Sequence, residues 1–267
     1  MPTATDADTA DLLTRGDLTP LARIADSSNG ALLCEVSGGT ASLLAIYKPV
    51  SAERPLWDYP DGTLAGRERA AYLVSAAGGF GVVPPTVLRD GPHGLGSVQV
   101  WVGDPAEEPE LVVAVTRAQE VPDGWRIVLR GETELGERVV VSHADEPAVR
   151  TTAVLDALLN NSDRKGGHLV RVEDGVRGFD HGVSLGVEPK LRTVLWGWAG
   201  EEVPEADLAR VEDALGRLRA GPVADELAGL LTAAEIRALR GRGDRLVRSR
   251  THPSPQPGWP SIPWPAM

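Results

Sequence analysis

Two short runs hold the side chains best suited to group transfer. Asn160 to His168 reads Asn-Asn-Ser-Asp-Arg-Lys-Gly-Gly-His, and Phe179 to Gly182 reads Phe-Asp-His-Gly. Each run contributes one aspartate, Asp163 and Asp180. Between them LVRVEDGVRG alternates apolar and polar residues about an Asp174-Gly175 turn, which predicts a hairpin joining two loops. Such a ribbon holds two carboxylates side by side at a fixed spacing. Phosphoryl transfer uses a pair of this kind, one carboxylate orienting a hydroxyl and the other holding a metal on the phosphates.

The elements that must position these loops follow from hydrophobic spacing. Upstream, EPAVRTTAVLDALL places Val149, Ala153, Val154, Ala157 and Leu158 at helical intervals and runs directly into Asn160. Downstream, amphipathic helices are expected over PEADLARVEDALGRLRAG, PVADELAGLL and TAAEIRALRGRGDRLVRS, the first and third opening at Pro204 and Thr232. The tail HPSPQPGWPSIPWPAM is too rich in proline for a helix and is expected to pack its tryptophans onto the body. Residues 111–143 say least: VVAVTRAQ reads as a short helix or a strand, while WRIVLRG and RVVVSHA alternate like a β-pair.

The N-terminal part reads differently. A short helix over residues 8–15 precedes a strand, a Ser/Asn/Gly turn, ALLCEV, a Gly-Gly turn and SLLAIYKPV. The turn Ser27-Ser28-Asn29-Gly30 is either a plain hairpin turn or a loop whose backbone N–H groups lie over phosphates. Lys48 ends its strand and reads as a solvated strand-end lysine or as a phosphate-pairing lysine on the third strand of a nucleotide-binding sheet. The helix GRERAAYLVSAAGG that follows carries Glu68 in its first turn, as the partner of such a lysine or as a simple helix-dipole charge. After it, VVPPTVLRDGPHGLGSVQVWVGDP reads as two strands and an exit from the sheet near Gly103.

Bulk properties narrow the function classes. The 267 residues are 42% hydrophobic and 24% charged, ordinary for a globular chain large enough for two lobes. A net charge of -11 argues against nucleic-acid or membrane-surface binding through bulk electrostatics. Cys34, the one cysteine, excludes an internal disulfide and reads as a packed strand residue. The acidic N-terminus lacks a signal pattern and no apolar run approaches the ~18 residues of a spanning helix, so a cytoplasmic location without integral membrane association is expected.

Taken together, I-Y-K-P with Lys48, R-E-R-A-A-Y with Glu68, V-V-P-P-T-V, N-N-S-D-R-K-G-G-H and F-D-H-G resemble the phosphatidylinositol 3-/4-kinase-like superfamily. More narrowly they are similar to an actinobacterial branch in which R-P-L-W-D-[FY]-P-D-G-T-L-A and a Pro/Trp-rich C-terminus recur. The resemblance spans about residues 10 to 265. It implies an α+β, bilobed, protein-kinase-like fold, with a small β-rich nucleotide-binding lobe over 1–103 and a mostly helical catalytic lobe over 104–267. It further implies ATP with Mg²⁺ or Mn²⁺ as cofactors. Lys48 would contact the phosphates and Glu68 would hold it. Ser27, Ser28 and Asn29 would cover the phosphates, and Gln99, Trp101 and Val102 would border the adenine. Asp163 would be the catalytic aspartate, Arg164 would compensate phosphate charge or fix the loop by a salt bridge, and Asp180 would hold metal. Asn is usual five residues after the catalytic aspartate, yet here that residue is His168, a poor ligand for Mg²⁺ and a better one for Mn²⁺ or Zn²⁺. A second histidine, His181, follows the metal-type aspartate. The expected activity is ATP-dependent phosphoryl transfer to a protein or small-molecule hydroxyl rather than a lipid. Regulatory nucleotide binding without turnover and nucleotidyl transfer are the alternatives.

Overall fold

The computed structural model describes residues 6–24, 30–133 and 135–267. The expected phosphate-covering residues Ser27, Ser28 and Asn29 lie outside the described residues. An opening helix α1 (Asp6–Arg15) leads into β1 (Asp17–Arg23), β2 (Leu32–Gly38) and β3 (Ala41–Pro49). Helix α2 (Leu64–Ala77) separates β3 from β4 (Thr86–Gly91) and β5 (Gly94–Val100), and the five strands form one antiparallel sheet in the order β1-β2-β3-β5-β4.

Side-chain alternation explains the inner face of this sheet. Cys34, Val36, Ala45, Tyr47 and Val98 point inward with Leu13 of α1 to make a compact core. Burial pushes the Cys34 thiol up to about 11, so it packs rather than reacts. β2 and β3 are joined across Gly39, whose φ of +61° suits glycine in a two-residue turn. Tyr47 donates its phenol to the Gly94 carbonyl at 2.6 Å, and a Cβ at Gly96 would come within 2.5 Å of that ring and of the Lys48 carbonyl. Glycine at 96 therefore lets β5 close against the end of β3 where Lys48 sits.

Helix α2 begins two residues before the start expected from sequence. Thr63 Oγ1 accepts the Gly66 N–H at 2.9 Å, while the Glu53 carboxylate accepts the Leu64 and Ala65 N–H groups at 2.9 and 2.7 Å. Glu68 consequently lies in the second turn, away from the helix terminus, and the helix-dipole reading of it fails.

The segment left open between helix and strand is β: β6 (Val113–Thr116) pairs with β8 (Arg138–Ala144), which also pairs with β7 (Trp125–Glu132). Then follow α3 (Pro147–Leu159), the hairpin β9 (Leu169–Val172) and β10 (Gly175–Gly178), and α4 (Glu205–Arg217), α5 (Pro222–Leu230) and α6 (Ala233–Ser249). α6 opens with a capping box in which Thr232 and Glu235 satisfy each other's backbone N–H groups. A sheet-rich N-terminal part followed by a helical C-terminal part, with a helix inserted after the third strand, is the bilobed, protein-kinase-like α+β arrangement.

The two parts share α2. Its Ala70 and Val74 join Leu158 and Leu159 of α3, Leu208 and Val211 of α4 and Leu239 of α6 in one apolar core. A second core lies under β8 and β9 and includes Trp198 and, from the tail, Ala266. The tail meets expectation at one tryptophan only. Trp259 stacks on Trp57 with ring centroids 5.9 Å apart, whereas Trp264 is 80% exposed and Ala266 is the buried residue.

Candidate active site

Helix α3 stops at Asn160, whose backbone is left-handed with φ 54° and ψ 47°. Asparagine tolerates that conformation and supplies three further bonds. Its Nδ2 donates to the Gly186 and Glu188 carbonyls at 3.3 and 2.7 Å, and its Oδ1 accepts the Lys190 N–H at 2.9 Å. Asn161 donates to Asp156 Oδ1 and accepts the Asp163 N–H, both at 3.0 Å. Ser162 donates to the Val183 carbonyl at 2.9 Å and lies 2.8 Å from the Tyr59 hydroxyl. Asn160, Asn161 and Ser162 thus all tie the loop to the body.

The hub beneath is Arg164. Arg164 and Asp156 are both fully buried, with Nε–Oδ2 and Nη2–Oδ1 separations of 3.0 Å. The guanidinium also donates from Nη1 to the Phe179 carbonyl at 3.0 Å and from Nη2 to His181 Nε2 at 2.6 Å. One side chain therefore ties the Asp163 loop to the Asp180 loop. Of the two readings of Arg164, this geometry matches the salt bridge that fixes the loop, with its donors facing inward. His181 is fully buried, and burial together with Arg164 holds its pKa well below the usual histidine value. The neutral ring spends Nε2 on Arg164 and does not face the ligand side. Asp156, the acid on an otherwise apolar helix face, was not singled out in the sequence; that misplaced charge one turn before Asn160 was the available signal.

Lys48, Glu68 and Asp180 meet. Lys48 Nζ lies 2.5 Å from Glu68 Oε1 and 2.7 Å from Asp180 Oδ1, joining the sheet, α2 and the second loop at one ammonium. Glu68, buried, accepts the His181 N–H on its other oxygen at 2.9 Å. Burial opposes the charge on Lys48, but Asp180 and Glu68 outweigh it and raise its pKa. Conversely, the Lys48 charge holds Asp180 well below the usual carboxylate range against the cost of burial. Asp180 takes a left-handed φ of 61°, an aspartate-compatible strain that turns its carboxylate toward Lys48.

Asp163 and His168 complete the group. Burial raises the Asp163 pKa, with nearby Asp180 adding to it and Lys165, 3.4 Å away, opposing. His168 Nε2 stands 3.4 Å from Asp180 Oδ2, and burial pushes the imidazole down to about 4, so it is neutral with a free lone pair. Its Nδ1 is buried without a partner. Among the described residues no three His, Cys, Asp or Glu side chains converge into a metal cage. A neutral imidazole beside one ionised carboxylate does fit a divalent ion that draws its other ligands from phosphates and water.

The expected adenine border is only partly open to a ligand. Gln99 is buried on β5 and donates its amide to Thr86 Oγ1 at 2.7 Å, which makes it a sheet residue. Trp101 N–H donates to the Leu44 carbonyl at 2.8 Å, and its indole Nε1 is buried without a partner; Val102 is half-buried. The Ile24 N–H donates to the Ala31 carbonyl at 2.9 Å.

The chain matches no known protein-family model. It is 49% identical over 268 residues, covering 96% of this chain and 94% of the other, to Protein Rv2133c of Mycobacterium tuberculosis. Among solved structures, the Golgi casein kinase aligns over 92% of this chain and 74% of its own at a TM-score of 0.48 and 13% identity. The Helicobacter pylori proinflammatory kinase CtkA aligns over 90% and 94% at 0.46 and 14%. Among the described residues no helix is long and apolar enough to cross a membrane.

Proposed function

The chain belongs to the same family as Protein Rv2133c, and we propose that it is an ATP-dependent phosphotransferase of the phosphatidylinositol 3-/4-kinase-like type acting on a protein or small-molecule hydroxyl. The observation that carries this reading is the Lys48 ammonium held between Glu68 at 2.5 Å and Asp180 at 2.7 Å, each partner arriving from a different element. A half-buried cation between two acids, one of them 47% exposed, is poised to exchange a carboxylate contact for phosphate oxygens. In this reading residues 1–103 form the nucleotide-binding lobe and 104–267 the catalytic lobe, working in the cytoplasm.

Bound ATP with its Mg²⁺ or Mn²⁺ would supply the phosphoryl group and neutralise its charge. Lys48 orients the phosphates and Glu68 keeps Lys48 from collapsing wholly onto Asp180. Asp180 and His168 would hold the metal. Asp163 accepts a hydrogen bond from the acceptor hydroxyl and takes its proton at a carboxylate oxygen, a task helped by its raised proton affinity. Arg164 touches no reacting atom and acts as a positioning residue for both loops. Trp101 and Val102, with the Ser27–Asn29 turn, border the nucleotide.

His168 in the place of a metal-binding asparagine favours one second reading, nucleotide binding with little turnover. Incubation with ATP labelled separately at the α and γ positions, with Mg²⁺ or Mn²⁺, distinguishes the cases. The proposal expects γ-label transfer, faster with Mn²⁺ and reduced about 10³-fold by Asp163→Asn with nucleotide binding retained. Transfer of α-label would instead mean nucleotidylation, and tight binding without transfer would mean a regulatory module. Absence of ATP binding, or binding indifferent to Lys48→Met, sinks all three.

A further inference from the structure

Behind the Asp163 loop, and sharing no lining residue with the Lys48–Asp180 cluster, lies a cavity of about 520 Å³ bounded by α6, the end of α3, the 189–191 segment and the tail. Its chemistry is opposite to that of the chain. Lys190, Arg242, Arg245 and Arg248 line it, and no Asp or Glu does so among the described residues, in a protein with 38 acids against 27 bases. Arg242, Arg245 and Arg248 recur at intervals of three along α6, so they share one face of the helix.

These cations are not all used by the fold. Lys190 is committed to Asp58 and covers the Trp259 ring from 3.8 Å. Arg242 is 8% exposed; its Nε and Nη1 donate to the Leu158 and Gly186 carbonyls at 2.9 and 3.0 Å, but its Nη2 has no partner. Arg245 and Arg248 make no ion pair or hydrogen bond among the described residues. Burial first, and then the neighbouring Arg245, lower the Arg242 pKa to about 10, with Tyr59 and Glu235 opposing. Trp196, Trp259 and Leu191 give the cavity apolar walls.

We propose that this cavity is a second ligand site, taking a small organic phosphate: the phosphoryl group against Arg242, Arg245 and Arg248, and an apolar or planar body against Trp196 and Trp259. Guanidinium forks match phosphate oxygens in pairs, and three of them suit a dianion better than a single carboxylate. The volume lies within the range of small-molecule sites. The site also lies one hydrogen bond from the Asp163 loop, because Arg242 and Asn160 both donate to the Gly186 carbonyl.

The test is calorimetric titration of the purified full chain, without ATP, using phenyl phosphate and inorganic phosphate as probes. Saturable binding of one phenyl phosphate per chain is expected, tighter than inorganic phosphate. Arg245→Gln and Arg248→Gln should each weaken it about tenfold with unchanged melting temperature, since neither side chain is used by the fold. Lys48→Met and Asp163→Asn should leave it unchanged, which separates this site from the proposed nucleotide site. No saturable binding at millimolar probe, binding unaffected by both arginine variants, or binding lost in Lys48→Met overturns the proposal. So does recognition of a phosphotyrosine peptide in preference to phenyl phosphate.

Discussion

Lys48 and Arg164 are both cations held by acids, yet their substitution should fail in different ways. Lys48 is reached from the ligand side, so Lys48→Met should cost at least ~10²-fold in label transfer and in proportion weaken ATP binding, measured by filter assay and by titration. Arg164 is buried against Asp156. Its replacement by methionine should strand a buried carboxylate and destabilise the fold by roughly 3–5 kcal/mol in urea unfolding. The double change Arg164→Met with Asp156→Leu should recover part of that loss, because an uncharged pair leaves no stranded ion. A double variant no more stable than Arg164→Met alone would show that the hydrogen bonds to Phe179 and His181, not the ion pair, carry the effect.

At the scale of elements, the loop after α3 depends on Asn160 as cap and anchor. Asn160→Ala loses a left-handed-tolerant residue and three hydrogen bonds, with an expected cost of about 2–3 kcal/mol; Asn160→Gly should cost less, since only the bonds are lost. Equal losses in the two variants would mean that the backbone conformation contributes nothing. The meeting of Lys48, Glu68 and Asp180 and the hairpin between the loops were legible in the sequence, because residue type and order along the chain single them out. Helix existence was legible for the same reason. The start of α2 was not, since its cap uses Glu53, eleven residues before the helix begins to accept ordinary periodicity. The inward role of Arg164 was one of two readings the sequence left open, and that of His181 was not legible: only burial reveals that their polar atoms face each other. The Arg242 cavity needed α6, the 186–191 segment and the tail to be brought together, pairings to which no local pattern points.

At the scale of the whole molecule, His143 and His252 join His168 and His181 in setting an acid limit on stability. His143 donates through Nδ1 to the Ala144 carbonyl and accepts the Gly197 N–H on Nε2 at 3.1 Å, so a second proton would break a bond. Burial pushes its pKa down, and pushes His252 down to about 4. With folded values below unfolded ones, the unfolded chain binds more protons as pH falls. Stability is therefore complete above about pH 6.5 and declines toward pH 4, by roughly 2–3 kcal/mol for His252. Thermal unfolding across that range should show the decline, and His252→Gln should lessen it; an unchanged slope in the variant would rule His252 out as a contributor.

Trp57 lies in the loop between β3 and α2, and Trp259 lies in the tail, yet their rings stack 5.9 Å apart with the Lys190 ammonium 3.8 Å from one of them. Two indoles at that separation couple their electronic transitions, and a fixed positive charge over one ring displaces its emission. The pair is consequently an optical gauge built into the chain. A far-ultraviolet exciton couplet should be present in the native protein and vanish in either Trp57→Phe or Trp259→Phe, and its amplitude in the native chain should track every displacement of the tail from the sheet-bearing half without any attached dye.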